Sequence, residues 1–126
     1  MNTAIPFYLG GAIAVAVTFI GCSYLMSPGW ASESFGLKPP AREGDNFAWL
    51  RLKGLRDVTF GLLVLTMMLT TDRRSVGIAL LVAAIVPFGD MAVILGAKGS
   101  KPKAYLVHGL TCAVIVVVGL LLIRAV

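Results

Sequence analysis

Charged residues are scarce in this chain, 13% of 126 residues, where about 25% is usual for a soluble domain. That shortage excludes an ordinary water-facing surface. Histidine occurs once, and the two cysteines, Cys22 and Cys112, stand far apart with no CxxC spacing. A dithiol relay or a zinc site would therefore lack its usual ligand pattern, and both thiols read as packing residues. No glycine-rich loop is followed by Lys-Ser or Lys-Thr, so phosphate-loop nucleotide chemistry has no carrier. The five methionines form no metal-binding cluster, and no low-complexity tract interrupts the chain. The residues imply neither a metal nor another cofactor.

What fills the chain is apolar: 58% of residues are hydrophobic and the mean hydropathy is +0.90. Four apolar segments, about 5–26, 47–69, 75–95 and 104–123, each approach the roughly 20 residues needed to cross a bilayer core. An open strand edge is forbidden in lipid. The expected fold is therefore all-α, a single membrane domain (1–126) forming an antiparallel bundle of four transmembrane helices, with no extramembrane catalytic domain. Ser27, Pro28 and Gly29 stop the first segment, Asp45 and Asn46 offer N-caps for the second, and Thr71 and Asp72 do so for the third. The first segment lacks a preceding Lys or Arg and is too long for a signal-peptide core, so it reads as a retained helix.

The connection 70–74 is short enough to demand a helical hairpin. The stretch 27–46 is longer and mixes Trp30, Phe35 and Leu37 with Glu33, Lys38, Arg42 and Glu43. Such a segment is expected to lie along the headgroups, with Trp30 and Trp49 at the interface, and to cover the entrance to a site. Gly10, Ala14, Thr18 and Cys22 form a small-residue stripe on helix one, and Gly54 with Gly61 and Gly109 with Ala113 repeat the theme on helices two and four. Close bundle packing explains these better than an oligomer interface. The two hairpins share no alignable motif, so no internal repeat is inferred.

Lys38, Arg42, Lys98, Lys101 and Lys103 fall in loops one and three, against Arg73, Arg74 and Arg124 on the other side. By the positive-inside rule, loops one and three are cytoplasmic and both termini outside, in a multi-pass bacterial inner or plasma membrane. The net charge of +5 suits anionic headgroups rather than nucleic acid, since the basic residues only flank the spans.

Against this apolar background the ionisable residues inside the spans stand out, because each costs about 2.5 to 3.5 kcal/mol on insertion scales and so usually faces a bundle interior. Arg56 and Asp57 lie roughly 14 Å into helix two, Asp90 about 8 Å from the end of helix three, and His108 about 6 Å into helix four, at ~1.5 Å per residue. Tyr24, near the end of helix one, falls in the same layer. Lys53 and Asp57 are one turn apart and can pair, while Arg56 points about 100° away and is free to meet Asp90. Pro87 and Gly89 predict a kink that opens a cavity beside Asp90. His108 titrates nearest neutrality and can exchange a proton with a carboxylate.

The pattern Arg51-Leu-Lys-Gly54-Leu-Arg56-Asp57-Val-Thr-Phe-Gly61, with Pro87-Phe-Gly89-Asp90 and His108-Gly109, resembles small four-helix membrane proteins grouped as an uncharacterised, domain-of-unknown-function family, loosely similar to DoxX-like proteins. The resemblance covers nearly the whole chain and implies a four-helix bundle with a shared polar layer. DoxX-like relatives are linked with redox or quinone-related processes, a role not transferred to a chain without a redox cysteine motif.

These readings converge on a polar intramembrane pocket for a small lipophilic, oxygen-bearing molecule. Asp90 and His108 are then the acid/base pair of an isomerisation or cyclisation, Arg56 stabilises developing negative charge, and Tyr24, Lys53 and Asp57 bind and position. The competing class is a non-catalytic membrane subunit or carrier. In it the charged layer holds helices of a homo-oligomer or another membrane subunit, or passes a solute.

Overall fold

The computed structural model describes residues 4–124, and every element among them is helical. Helix α1 spans Ala4–Met26, α2 Pro28–Glu33, α3 Asn46–Thr70, α4 Arg73–Ala83 and α5 Ile85–Gly96. A short α6, Lys101–Lys103, runs through a π-helical turn, Ala104–Gly109, into α7, Leu110–Arg124. Three of these stretches are long and apolar enough to cross a membrane: Ala4–Met26, Arg73–Gly96 and Lys101–Arg124. Helix α3 has the length, at 25 residues, but carries Arg51, Lys53, Arg56 and Asp57 in its first half. The two termini expected outside, Val126 included, lie outside the described residues.

Local chemistry accounts for the boundaries. Pro28 opens α2 at its first position, where a missing N–H costs nothing. Sequence reasoning did not anticipate a helix in this segment. Asp45 occupies the cap position of α3 as expected, yet its side chain makes no capping bond, and the Asn46 amide instead donates to the Ala41 carbonyl at 3.0 Å. The third span breaks at Ala84, three residues before Pro87. Pro87 has no N–H to offer the carbonyl four residues back, the usual cause of such a break. The Cys112 thiol reaches the Ala84 carbonyl there at 3.5 Å, which fits its reading as a packing residue.

Asp72 caps α4 more fully than expected. Its carboxylate accepts from the Ser75 amide at 3.0 Å and from the Ser75 hydroxyl at 2.7 Å. The hydroxyl bond, helped by the amide, holds the Asp72 carboxyl below the usual carboxylate range. A depressed folded-state pKa makes the cap's contribution complete above the unfolded value and lost as pH falls through the folded one. Thermal melts of Asp72→Ala should therefore fall below wild type at neutral pH, and the gap should close in acid. A gap unchanged between pH 7 and pH 3 would remove the cap from the account.

Packing divides the molecule into two close helix pairs. In α1 and α3 a Cβ on Gly21 would lie 2.6 Å from the Gly54 carbonyl oxygen, and one on Gly54 2.7 Å from that of Gly21. A turn or two away, Gly61 faces Ala14 and Thr18 in the same manner. Gly77 and Gly119 bring α4 against α7, a Cβ on Gly77 falling 2.7 Å from the Gly119 carbonyl. Without side chains between them the backbones approach to direct contact. The buried cluster Ala14, Val64, Val76, Leu80, Ala83, Ala84, Ile115, Val118 and Leu122 joins the two pairs. Most of these residues lie toward the end where α1 and α4 begin and α3 and α7 finish. At the opposite end the chain leaves the helices free to enclose space.

Candidate functional site

That opposite end holds the polar layer. Lys53 and Asp57, one turn apart on α3, pair at 2.5 Å as their spacing predicts. Asp57 is buried, at 7% exposure, because Gly54, Asp57, Gly61 and Val64 form the buried stripe of α3. The Lys53 ammonium also stands over the Tyr24 ring at 4.3 Å and the Phe35 ring at 5.2 Å. Two aromatic faces and one carboxylate thus share a single cation.

Arg56 departs from expectation. Its guanidinium pairs with the adjacent Asp57 at 3.4 Å and its side chain is 52% exposed, whereas the sequence reading aimed it at Asp90. One residue off the buried stripe turns it about 100° from the interior. Asp90 instead faces the single histidine, its Oδ2 lying 3.7 Å from His108 Nδ1. Asp57 consequently serves two cations, and the carboxylate of Asp90 is left to His108.

His108 is oriented by the connection after α2. Its Nε2 lies 2.8 Å from the Phe35 carbonyl oxygen, and a carbonyl can only accept, so Nε2 carries a proton. Nδ1 therefore presents the ring's titratable position to Asp90. The Phe35 ring meets the imidazole edge-on, centroids 4.7 Å apart. The same connection is fastened at two further backbone carbonyls, Glu33 accepting from the Lys103 ammonium at 2.6 Å and Gly36 from the Ser100 amide at 2.8 Å. Gly36 sits at φ +115°, a conformation that favours glycine. His108 itself lies in the π-helical turn, and such turns recur at functional sites.

These side chains surround a cavity of about 230 Å³. Tyr24, Lys53, Arg56, Asp57, Asp90 and His108 all line it, and Ser34 and Phe35 reach it from the connection that was expected to cover a site. Its other wall is apolar, built from Ile13, Ala14, Val17, Phe60, Val64, Leu80 and Ile115 among others. Tyr24 is 3% exposed as a residue, while its hydroxyl bonds to no described residue and stays accessible at the cavity. An acceptor entering the cavity can take a hydrogen bond from it, worth about 1 kcal/mol net. No group of three or more His, Cys, Asp or Glu side chains converges on one point among the described residues.

Sequence reasoning brought together the six residues at this layer but missed Phe35 as a participant. Its contribution to His108 is a main-chain oxygen, which no residue pattern announces. The widened turn was missed too, although Gly109 following His108 and Pro102 before it both loosen an α-helical ladder.

No curated protein matches this chain, and no solved structure matches it. A family model described as a domain of unknown function (DUF4267) matches residues 14–122. The match takes in every residue of the polar layer. The chain belongs to that family.

Proposed function

We propose that this member of the DUF4267 family crosses the membrane four times and binds a small lipophilic molecule bearing an oxygen function in its cavity. Helix α3 serves as the fourth crossing because each of its charges has a partner that lowers the cost of placing it near the membrane, Arg56 included through Asp57. Lys53 and Asp57 pair in the cavity wall, and Arg51 donates to the Leu25 carbonyl at 3.3 Å. Besides Arg51 and Arg56, its outward positions include the exposed apolar residues Trp49, Leu52, Leu55, Leu62 and Leu63. Trp30, Phe19, Val82 and Leu120 extend that exposed apolar surface around the molecule, which suits lipid and not water.

The observation that carries the binding reading is the Tyr24 hydroxyl, open to the cavity and bonded to no described residue, beside the Lys53 ammonium at the polar end of an otherwise apolar cavity. Two donors ask for an acceptor oxygen, and the apolar walls ask for a hydrocarbon body. The volume, about 230 Å³, falls below the usual ~300 to 1,000 Å³ of drug-sized pockets and selects a small ligand. Asp90 and His108 then stand where a proton can be taken from, or returned to, a carbon beside that oxygen. Tyr24 and Lys53 replace Arg56 as the groups best placed to stabilise charge developing on it.

Octan-2-one tests this, since its carbonyl is its single polar group. In lipid nanodiscs, Tyr24→Phe should weaken its binding about three- to tenfold, the worth of one hydrogen bond of about 1 kcal/mol. Equal affinity in the two proteins would remove the hydroxyl from the site. Orientation follows from the basic residues, so a cysteine introduced at Lys101 should react with impermeant thiol reagent from the cytoplasmic side and one at Arg74 from the outer side. The inverse pattern would turn the cavity to the other leaflet.

A further inference from the structure

The cavity's charges suggest more than a neutral guest. Four ionisable groups balance in this arrangement: Lys53 and Arg56 against Asp57 and Asp90. Asp57 bridges both cations, at 2.5 Å and 3.4 Å, while Asp90 approaches the imidazole at 3.7 Å. That separation is within ion-pair range but beyond hydrogen-bonding distance. The Phe35 carbonyl has already claimed the other ring nitrogen, which leaves Nδ1 aimed at the Asp90 carboxylate with room for one proton to join them. Tyr24 is the remaining titratable neighbour, and its hydroxyl serves as a donor.

Resting on the binding reading above, we propose that the cavity takes an acidic amphiphile, a short-chain carboxylate, and takes up one proton with it. The carboxylate head accepts from the Tyr24 hydroxyl and the Lys53 ammonium. Its added negative charge in a poorly solvated layer is offset when a proton from solvent joins the His108–Asp90 pair, which closes to a hydrogen bond. The bookkeeping is complete: one carboxylate and one proton enter, nothing leaves, and the layer's net charge stays as it was. At about 30 Å³ for each water-sized group, the volume of about 230 Å³ takes roughly eight non-hydrogen atoms, the greater part of an octanoate ion. A neutral ketone of the same length brings no charge and calls for no proton.

The experiment is calorimetric titration of the full-length protein in nanodiscs at pH 7 with sodium octanoate and with octan-2-one. Each is run in two buffers of different ionisation enthalpy, with empty nanodiscs subtracted. Octanoate should bind with close to one proton taken up per protein and octan-2-one with none, and octanoate affinity should weaken about tenfold per pH unit as pH rises through the linked range. Asp90→Asn should abolish the proton uptake. Octanoate binding without proton uptake, while octan-2-one binds normally, overturns this inference and leaves the binding reading standing. A full proton still taken up by Asp90→Asn would also overturn it, and binding of neither compound would overturn both.

Discussion

Replacing Asp57 by alanine is expected to destabilise the protein by about 3 to 5 kcal/mol, the usual consequence of stripping one partner from a buried ion pair. The carboxylate is buried and answers both Lys53 and Arg56. Without it the Lys53 ammonium stays in the cavity wall beside two aromatic faces with no carboxylate in direct ion-pair contact. Arg56→Leu should cost under about 1 kcal/mol, because that guanidinium is half exposed and its pairing is correspondingly weak. The double variant Lys53→Met with Asp57→Leu should recover most of the loss, since a well-packed apolar pair often matches a buried ionic one. Reversible unfolding in mixed micelles checks all three. An Arg56→Leu loss as large as that of Asp57→Ala would mean that the arginine carries a buried partner after all.

The second large effect lies at the α1–α3 crossing. Gly21→Val places a side chain against the Gly54 carbonyl oxygen and the Val58 amide nitrogen, both 2.6 Å from where its Cβ must stand. Backbone atoms cannot swing aside as a flexible side chain can. Overpacking usually costs about 1 to 3 kcal/mol and occasionally more, and here the crossing itself must open, so the upper end or beyond is expected. Gly89→Ala is the control, because a Cβ there meets nothing within 4 Å. Its stability should hold or rise by up to about 1 kcal/mol from the better helix propensity. A folded, wild-type-like Gly21→Val would show that the two helices do not meet at these glycines.

Why the polar layer could be read from sequence, and Arg56's direction could not, has one physical cause. Ionisable residues inside apolar segments announce themselves whatever the packing, so counting residues places Tyr24, Arg56, Asp57, Asp90 and His108 in one layer. Direction around a helix needs the inward face to be known. Gly54, Asp57, Gly61 and Val64 define it on α3, and the spacing of the two glycines already pointed to it. Following that stripe would have turned Arg56 outward and freed Asp90 for His108. On α1 the stripe from Gly10 through Ala14 to Cys22 drew attention away from Gly21, where the backbones meet most closely. The break at Ala84 was legible from Pro87. The fastening of the α2 connection was not, because the carbonyls of Glu33, Phe35 and Gly36 take part as main chain.

In the proposed complex, hydrocarbon enters between the helix pairs with its oxygen at the Tyr24 end. Photolabelling with an octan-2-one analogue carrying a diazirine at the far end of the chain tests it most directly. With the carbonyl held near Tyr24 and Lys53, the reactive end lies against the apolar wall, and adducts should map to Val64, Leu80 and Ile115 and be suppressed by excess octan-2-one. Adducts confined to outward residues such as Phe19, Val82 and Leu120, unaffected by competitor, would mean that the ketone only dissolves in the surrounding lipid and that the cavity is not its site.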